Sequence, residues 1–273
     1  MKISGNFSHK ISLGQNFLVN RDVICRSVEA GNISSSDVLL EIGAGQGALT
    51  RELLASPCAF LHSVEIDRRL EPWLVPLEEA HKDRCQIIWG NALDVSFSAL
   101  APRPTKVMAN IPYNITSPLI KKVIEELAPL GAELIVLMIQ KEAADRLAAS
   151  PGTKDRCPLG ITLDAMGAVF RIMQVSPGSF NPPPKVSSSL IGVRIERNRQ
   201  LAADALWNRL LNAAFAQRRK TLYNNLIAGT FDKNSVLSYL DSLNLAPTAR
   251  AEELSTAQWL SLWTMIREQT QNA

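Results

Sequence analysis

The chain has 273 residues, 46% of them hydrophobic and 20% charged, with a formal net charge of +3. That length supports a full core with a smaller second unit, and so mild a charge does not by itself establish a polyanionic partner. The longest uninterrupted apolar run, residues 134–139, is far shorter than a membrane span.

No apolar stretch follows Met1-Lys2, so no secretory signal is expected and the cytoplasm is the expected location. Four cysteines (Cys25, Cys58, Cys85, Cys157) lack CxxC spacing and three histidines are scattered. Reduced thiols are therefore expected, with no disulfide and no metal. Short apolar runs at 38–42, 60–66, 86–89, 106–109, 134–139, 169–175 and 190–195 alternate with helical patterns, which predicts an α/β fold with a mostly parallel sheet covered on both faces. Beyond Glu196 the strand signal vanishes. Residues 202–228, 234–243 and 251–268 carry apolar side chains at helical spacing, so a small C-terminal all-helical domain is expected over 196–273, after a first domain over 1–195.

Glu41-Ile42-Gly43-Ala44-Gly45-Gln46-Gly47 follows a buried strand and opens a helix, where residues without Cβ let the turn close and a ligand approach the backbone. Gly43, Gly45 and Ala48 satisfy a relaxed dinucleotide fingerprint, and Glu65, ending the next strand, is placed to bind a ribose diol. A tight turn without a ligand and ordinary strand-end carboxylates are the plain alternatives, which the joint placement of these residues after two successive strands disfavours.

The fourth strand separates the alternatives, because it delivers Asn110-Ile111-Pro112-Tyr113 to the carboxyl edge of the sheet. An adenine N6 amine is a poor nucleophile, its lone pair being delocalised into the ring. Acceptors that hold its hydrogens favour a tetrahedral nitrogen, and Asn110 Oδ1 and the Ile111 carbonyl are such acceptors. Pro112 restricts Ile111 to an extended conformation, and Tyr113 offers a face for stacking. A turn that merely ends a strand is the plain alternative. Farther on, Pro182-Pro183-Pro184 reads as a stiff loop or linker. Seven basic residues against two acidic ones over 194–220 form an electrostatic footprint for phosphates or a solvated helix face.

Taken in order, these residues closely resemble the KsgA/Dim family of ribosomal RNA adenine N6,N6-dimethyltransferases, class I S-adenosylmethionine enzymes with a Rossmann-like sheet. The landmarks are Leu13-Gly14-Gln15-Asn16-Phe17-Leu18, the glycine segment, Val64-Glu65-Ile66-Asp67, Gly90-Asn91-Ala92-Leu93, Asn110 to Tyr113, Gln140-Lys141-Glu142, and Phe180-Asn181-Pro182-Pro183-Pro184-Lys185-Val186. They run along nearly the whole chain. The resemblance implies that Asn16 and Leu18 cover the methionine end of S-adenosylmethionine, with Gly43 and Gly45 against it. It implies further that Glu65 holds the ribose, Asn91 accepts from the cofactor adenine, and Asn110 closes the donor site. Asn110, Ile111, Tyr113 and Phe180 would serve the target base, Phe180 on the face opposite Tyr113.

Asn91 stands where the family usually has aspartate, which should weaken that contact by about 1 kcal/mol. Ala44 replaces a proline often found in the turn, and residues 151–158 depart from the family's Tyr-Gly-containing version. The segment containing Arg218, Arg219 and Lys220 matches a family segment and implies RNA contact, and the N-terminal Lys2, His9 and Lys10 are expected to add a second phosphate contact. The resemblance as a whole implies methylation of two adjacent adenosines in a loop near the 3′ end of small-subunit (16S) rRNA, in a pre-assembled subunit; with no heptad seam or large apolar repeat in the sequence, a monomer is expected. An Erm-like enzyme acting on large-subunit rRNA, a non-catalytic assembly or nucleic-acid-binding factor, and a nicotinamide dehydrogenase are the competing readings.

Overall fold

The apolar runs and helical patterns fold into one central sheet with helices on both faces. The computed structural model describes residues 15–271; Lys2, His9 and Lys10, expected as phosphate contacts, and the landmark residues Leu13 and Gly14 lie outside the described residues. In chain order come β1 (Phe17–Leu18), α1 (Arg21–Gly31), β2 (Val38–Ile42), α2 (Ala48–Ala55), β3 (Phe60–Glu65), α3 (Glu71–Ala80), β4 (Cys85–Trp89), β5 (Lys106–Asn110) and α4 (Thr116–Leu127). They are followed by β6 (Leu134–Gln140), α5 (Lys141–Leu147), α6 (Pro158–Met166), β7 (Gly167–Val175), β8 (Phe180–Asn181) and β9 (Ser188–Ile195). Four helices complete the chain: α7 (Ala205–Ala214), α8 (Leu222–Ala228), α9 (Lys233–Ser242) and α10 (Thr256–Gln271).

The large sheet has the order β4-β3-β2-β5-β6-β9-β7. The five strands from β4 to β6 run parallel, and β9 inserts antiparallel between β6 and β7. Within β2, Leu40 and Ile42 face one hydrophobic layer and Leu39 the other, and neighbouring strands repeat the alternation. Both faces are thereby buried, which is why these strands read as nearly continuous apolar runs. The layer built on α1, α2 and α3 is closed by the sheet, whereas the layer under α4 continues without a break into Trp207, Leu226, Trp259 and Leu262 of the C-terminal helices.

The predicted segment 202–228 is two helices rather than one. An unbroken helix would stack Arg218, Arg219 and Lys220 on consecutive positions, and capping groups favour a break instead. Asn225 Nδ2 donates to the Ala214 and Gln217 carbonyls at 2.7 and 3.1 Å, and Thr221 Oγ1 accepts from Asn224 N–H. Likewise 251–268 starts as a short 3₁₀ turn, and α10 begins only at Thr256, after Ser255 and Gln258 exchange capping hydrogen bonds. The divergent segment 151–158 serves as a joint. Arg156, buried, donates to the Ala149 carbonyl and to Thr256 Oγ1, both at 2.6 Å. Trp207 Nε1 meets Thr162 Oγ1 at 2.9 Å across the same seam. Among the described residues no helix is long and apolar enough to cross a membrane, and all four cysteines are free.

Candidate active site

A cleft of about 280 Å³ opens along the carboxyl ends of β2, β3, β4 and β5, the edge where ligands of such sheets bind. Its wall includes Asn16, Gly43, Gly45, Glu65, Asn91, Asn110, Ile111, Tyr113 and Phe180, so the fold gathers these predicted residues from across the sequence into one place. Leu18 lies outside the lining and is buried in the core beside α1.

The turn after β2 depends on its glycines. Gly43 and Gly45 have φ of +85° and +57°, in the left-handed region, and a Cβ on Gly45 would sit 2.9 Å from Phe17 Cδ1. Below the turn, Glu41 is buried and accepts from Thr50 Oγ1 and Ser63 Oγ at 2.8 and 2.6 Å. Burial pushes its carboxyl up to about 7 despite those donors. Glu65, buried at the end of β3, uses both oxygens on the backbone. Oε2 accepts from Gly45 N–H at 2.9 Å and Oε1 from Asp67 N–H at 2.8 Å. Burial raises its pKa, and the amides of Asp67, Gly45 and Ile66 oppose that rise by favouring the anion. Ile66 beside it is 49% exposed, a large apolar side chain left open on the cleft wall.

Asn110 ends β5 with its amide anchored: Nδ2 donates to the Asn16 carbonyl at 3.4 Å, which leaves Oδ1 as the acceptor turned to other partners. Ile111 N–H bonds the Met138 carbonyl, and the Pro112 carbonyl accepts from Ile115 N–H. The Tyr113 hydroxyl shares a 2.9 Å hydrogen bond with buried Ser188 Oγ at the start of β9, which fixes the ring at the cleft. Burial raises the Tyr113 pKa, against the Ser188 contact.

The opposite wall is a two-stranded ribbon. Phe17 pairs with Asn181 and Leu18 with Phe180 in β1 and β8, and Ser179 O accepts from Val19 and Asn20 N–H. Gln15 Nε2 donates to Asp67 Oδ2 at 2.7 Å, and Asn20 Nδ2 reaches Ser179 Oγ. The ribbon thus carries Asn16 and Phe180 together.

Sequence reasoning missed Gln15, Ile66 and Ser188. An apolar residue directly after a strand-end acid was a usable signal for Ile66, whereas Ser188 lies 75 residues from Tyr113 in a run of serines and gave none. The basic stretch is also narrower than its composition suggests. Arg199 donates to the Ala132 and Ile195 carbonyls, Arg209 stacks over Phe231, and Arg218 donates to the Arg156 carbonyl at 3.0 Å. Arg219 and Lys220 are exposed on the loop between α7 and α8.

The family model described as ribosomal RNA adenine dimethylase matches residues 6–268. The chain is 41% identical to ribosomal RNA small subunit methyltransferase A of Geobacter metallireducens, over 92% of this chain and 93% of that protein. It is 38% identical to the protein of that name from Acidobacterium capsulatum, over 98% and 94%. Among solved structures, a dimethyladenosine transferase from Plasmodium falciparum is similar with a TM-score of 0.80 and 27% identity, covering 93% of this chain and 98% of that one.

Proposed function

Because the chain belongs to the ribosomal RNA adenine dimethylase family, we propose that it methylates N6 of two adjacent adenosines in a loop near the 3′ end of small-subunit (16S) rRNA, acting as a monomer on a pre-assembled subunit. It is an S-adenosylmethionine-dependent rRNA adenine dimethyltransferase. The observation that carries the residue-level reading is the anchored Asn110 amide, whose acceptor oxygen stands in one cleft with the glycine turn.

The cleft residues fit the cofactor. Gly43 and Gly45 line the cleft at the turn and, lacking Cβ atoms, let the Asn110 backbone and Phe17 close against it; the acceptor-only Glu65 suits ribose hydroxyls, and Ile66 and Asn91 offer an apolar face and a polar edge for a base. When bound, S-adenosylmethionine supplies a methyl carbon on a sulfonium, an excellent leaving group. Asn110 Oδ1 and the Ile111 carbonyl accept from the target amine's hydrogens and draw its nitrogen toward a tetrahedral geometry. Tyr113 and Phe180 stack on the base, at about 1–3 kcal/mol per stacked base. Alignment of donor and acceptor then supplies most of the rate. A base in an unpaired loop leaves its stack at low cost, and Arg219 and Lys220 supply phosphate contacts.

The test is transfer of labelled methyl from S-adenosylmethionine to small and, separately, large subunits from cells lacking these methylations, followed by mass spectrometry of the nucleosides. Dimethyladenosine from small subunits alone is expected. Label in large-subunit RNA would favour an Erm-like target, and no label with intact cofactor binding would favour an assembly factor.

A further inference from the structure

The turn after β4 holds the Asn91 amide in one orientation. Leu93 N–H donates to Asn91 Oδ1 at 3.1 Å, and Asn91 Nδ2 donates to Asp94 Oδ2 at 3.1 Å. The Asn91 carbonyl accepts from Asp94 and Val95 N–H at 2.9 and 3.2 Å, so the turn itself is closed. A backbone N–H only donates and a carboxylate only accepts, so the two neighbours, one on each end of the amide, demand the same orientation. Flipping it would set N–H against NH₂ on one side and oxygen against oxygen on the other.

Orientation matters because residue 91 is an amide. A carboxylate offers only acceptors whichever way it turns, but an amide accepts with one end and donates with the other. On the stretch of cleft wall formed by Gly90, Asn91, Ala92 and Leu93, Asn91 has the polar side chain. A nucleoside whose ribose lies at Glu65 on β3 extends its base toward β4 and this turn. A freely rotating asparagine there would pair with a 6-amino or a 6-oxo purine alike.

We propose that Asp94 is the positioning residue that sets base specificity in the cofactor site: by anchoring Asn91 Nδ2 it keeps Oδ1 as the acceptor and makes the cleft select a 6-amino purine over a 6-oxo purine. Asp94 is exposed and absent from the cleft wall, so it acts through Asn91. This inference rests on the reading of the cleft as the S-adenosylmethionine site.

The experiment is calorimetric titration of the full chain with S-adenosylhomocysteine and with its deaminated 6-oxo counterpart, S-inosylhomocysteine. Wild type should prefer the adenosyl compound by at least about tenfold, the effect of one unpaired polar group. Asp94→Ala should narrow that preference about fivefold, chiefly through tighter binding of the 6-oxo compound, the effect of freeing one hydrogen bond. Asp94→Asn should narrow it too, since an amide at 94 pairs with either orientation. Asn91→Asp/Asp94→Ala should restore the preference, because a carboxylate at 91 needs no anchor. A preference unchanged in both single variants, or not restored in the double, overturns the proposal. Failure of wild type to bind S-adenosylhomocysteine would instead sink the cofactor reading beneath it.

Discussion

Glu65→Gln, ordinarily a mild substitution, is expected to be damaging here. The two carboxylate oxygens hold Gly45 N–H at 2.9 Å and Asp67 N–H at 2.8 Å, and the residue is buried. An amide has one acceptor oxygen, so its NH₂ must face one of those two donors. One backbone N–H is left unpaired, at a cost of about 1–3 kcal/mol, and a charge-assisted bond to the other is weakened. A net loss of about 2 kcal/mol corresponds to a fall in melting temperature of roughly 5 °C for a chain of this size. Either loss loosens backbone that Glu65 ties together, the glycine turn at Gly45 or the turn after β3 at Asp67, and affinity for S-adenosylhomocysteine should drop at least about tenfold. Differential scanning calorimetry without ligand gives the first quantity and isothermal titration the second. If Glu65→Gln melts with wild type and binds with wild-type affinity, the two-amide account of Glu65 is wrong.

Tyr113→Phe keeps the ring and strips its hydroxyl from buried Ser188 Oγ, so we expect loss of about 1 kcal/mol of stability and a several-fold fall in methyl transfer. Tyr113→Ala should fall much further in transfer while retaining S-adenosylhomocysteine binding, and equal activities of the two variants in a single-turnover assay would argue against stacking. The Arg219→Ala/Lys220→Ala double variant should lower the slope of log affinity against log salt for subunit binding by about 1.5, while an unchanged slope would remove that loop from the RNA surface. Asp37 reports on pH. Burial would raise its carboxyl, but hydrogen bonds from Lys106 Nζ, Ser34 and Thr105 outweigh this and hold it at about 2 rather than 3.8. Its stabilisation of about 2 kcal/mol is therefore complete above about pH 4 and lost as pH falls toward 2. In urea titrations the deficit of Asp37→Asn should shrink over that range, and a deficit constant with pH would contradict the assignment.

Most of the sheet was legible because strands buried on both faces announce themselves as apolar runs, and the predicted starts and ends of β2, β3, β4, β5 and β6 fall within a residue of those observed. Less legible were features decided by distant partners. Nothing local marks Phe17–Leu18 and Phe180–Asn181 as strands; each exists because the other lies beside it. The helix break at 215–221 was hidden for a similar reason, since Asn225, which takes the freed carbonyls, reads locally as an ordinary helical residue. At the site, the place of Asn110 at the carboxyl edge of the sheet was readable from its neighbours, but the group fixing its orientation was not. That group is a backbone carbonyl at Asn16, 94 residues away. Composition likewise does not reveal that Arg199 and Arg218 each donate to a carbonyl of their own chain.

The ribbon has a consequence for the birth of the protein. Asn20 and Ser179, which fasten its two strands, are 159 residues apart. At roughly 5–20 residues per second of synthesis, β1 waits on the order of ten to thirty seconds for its mate to be made. In that interval the nascent chain can build the glycine turn and the parallel strands, yet it has only half a cleft. The wall carrying Phe180 arrives after nearly all of the sheet, so until that stretch is made the nascent chain has no completed site with which to grip RNA.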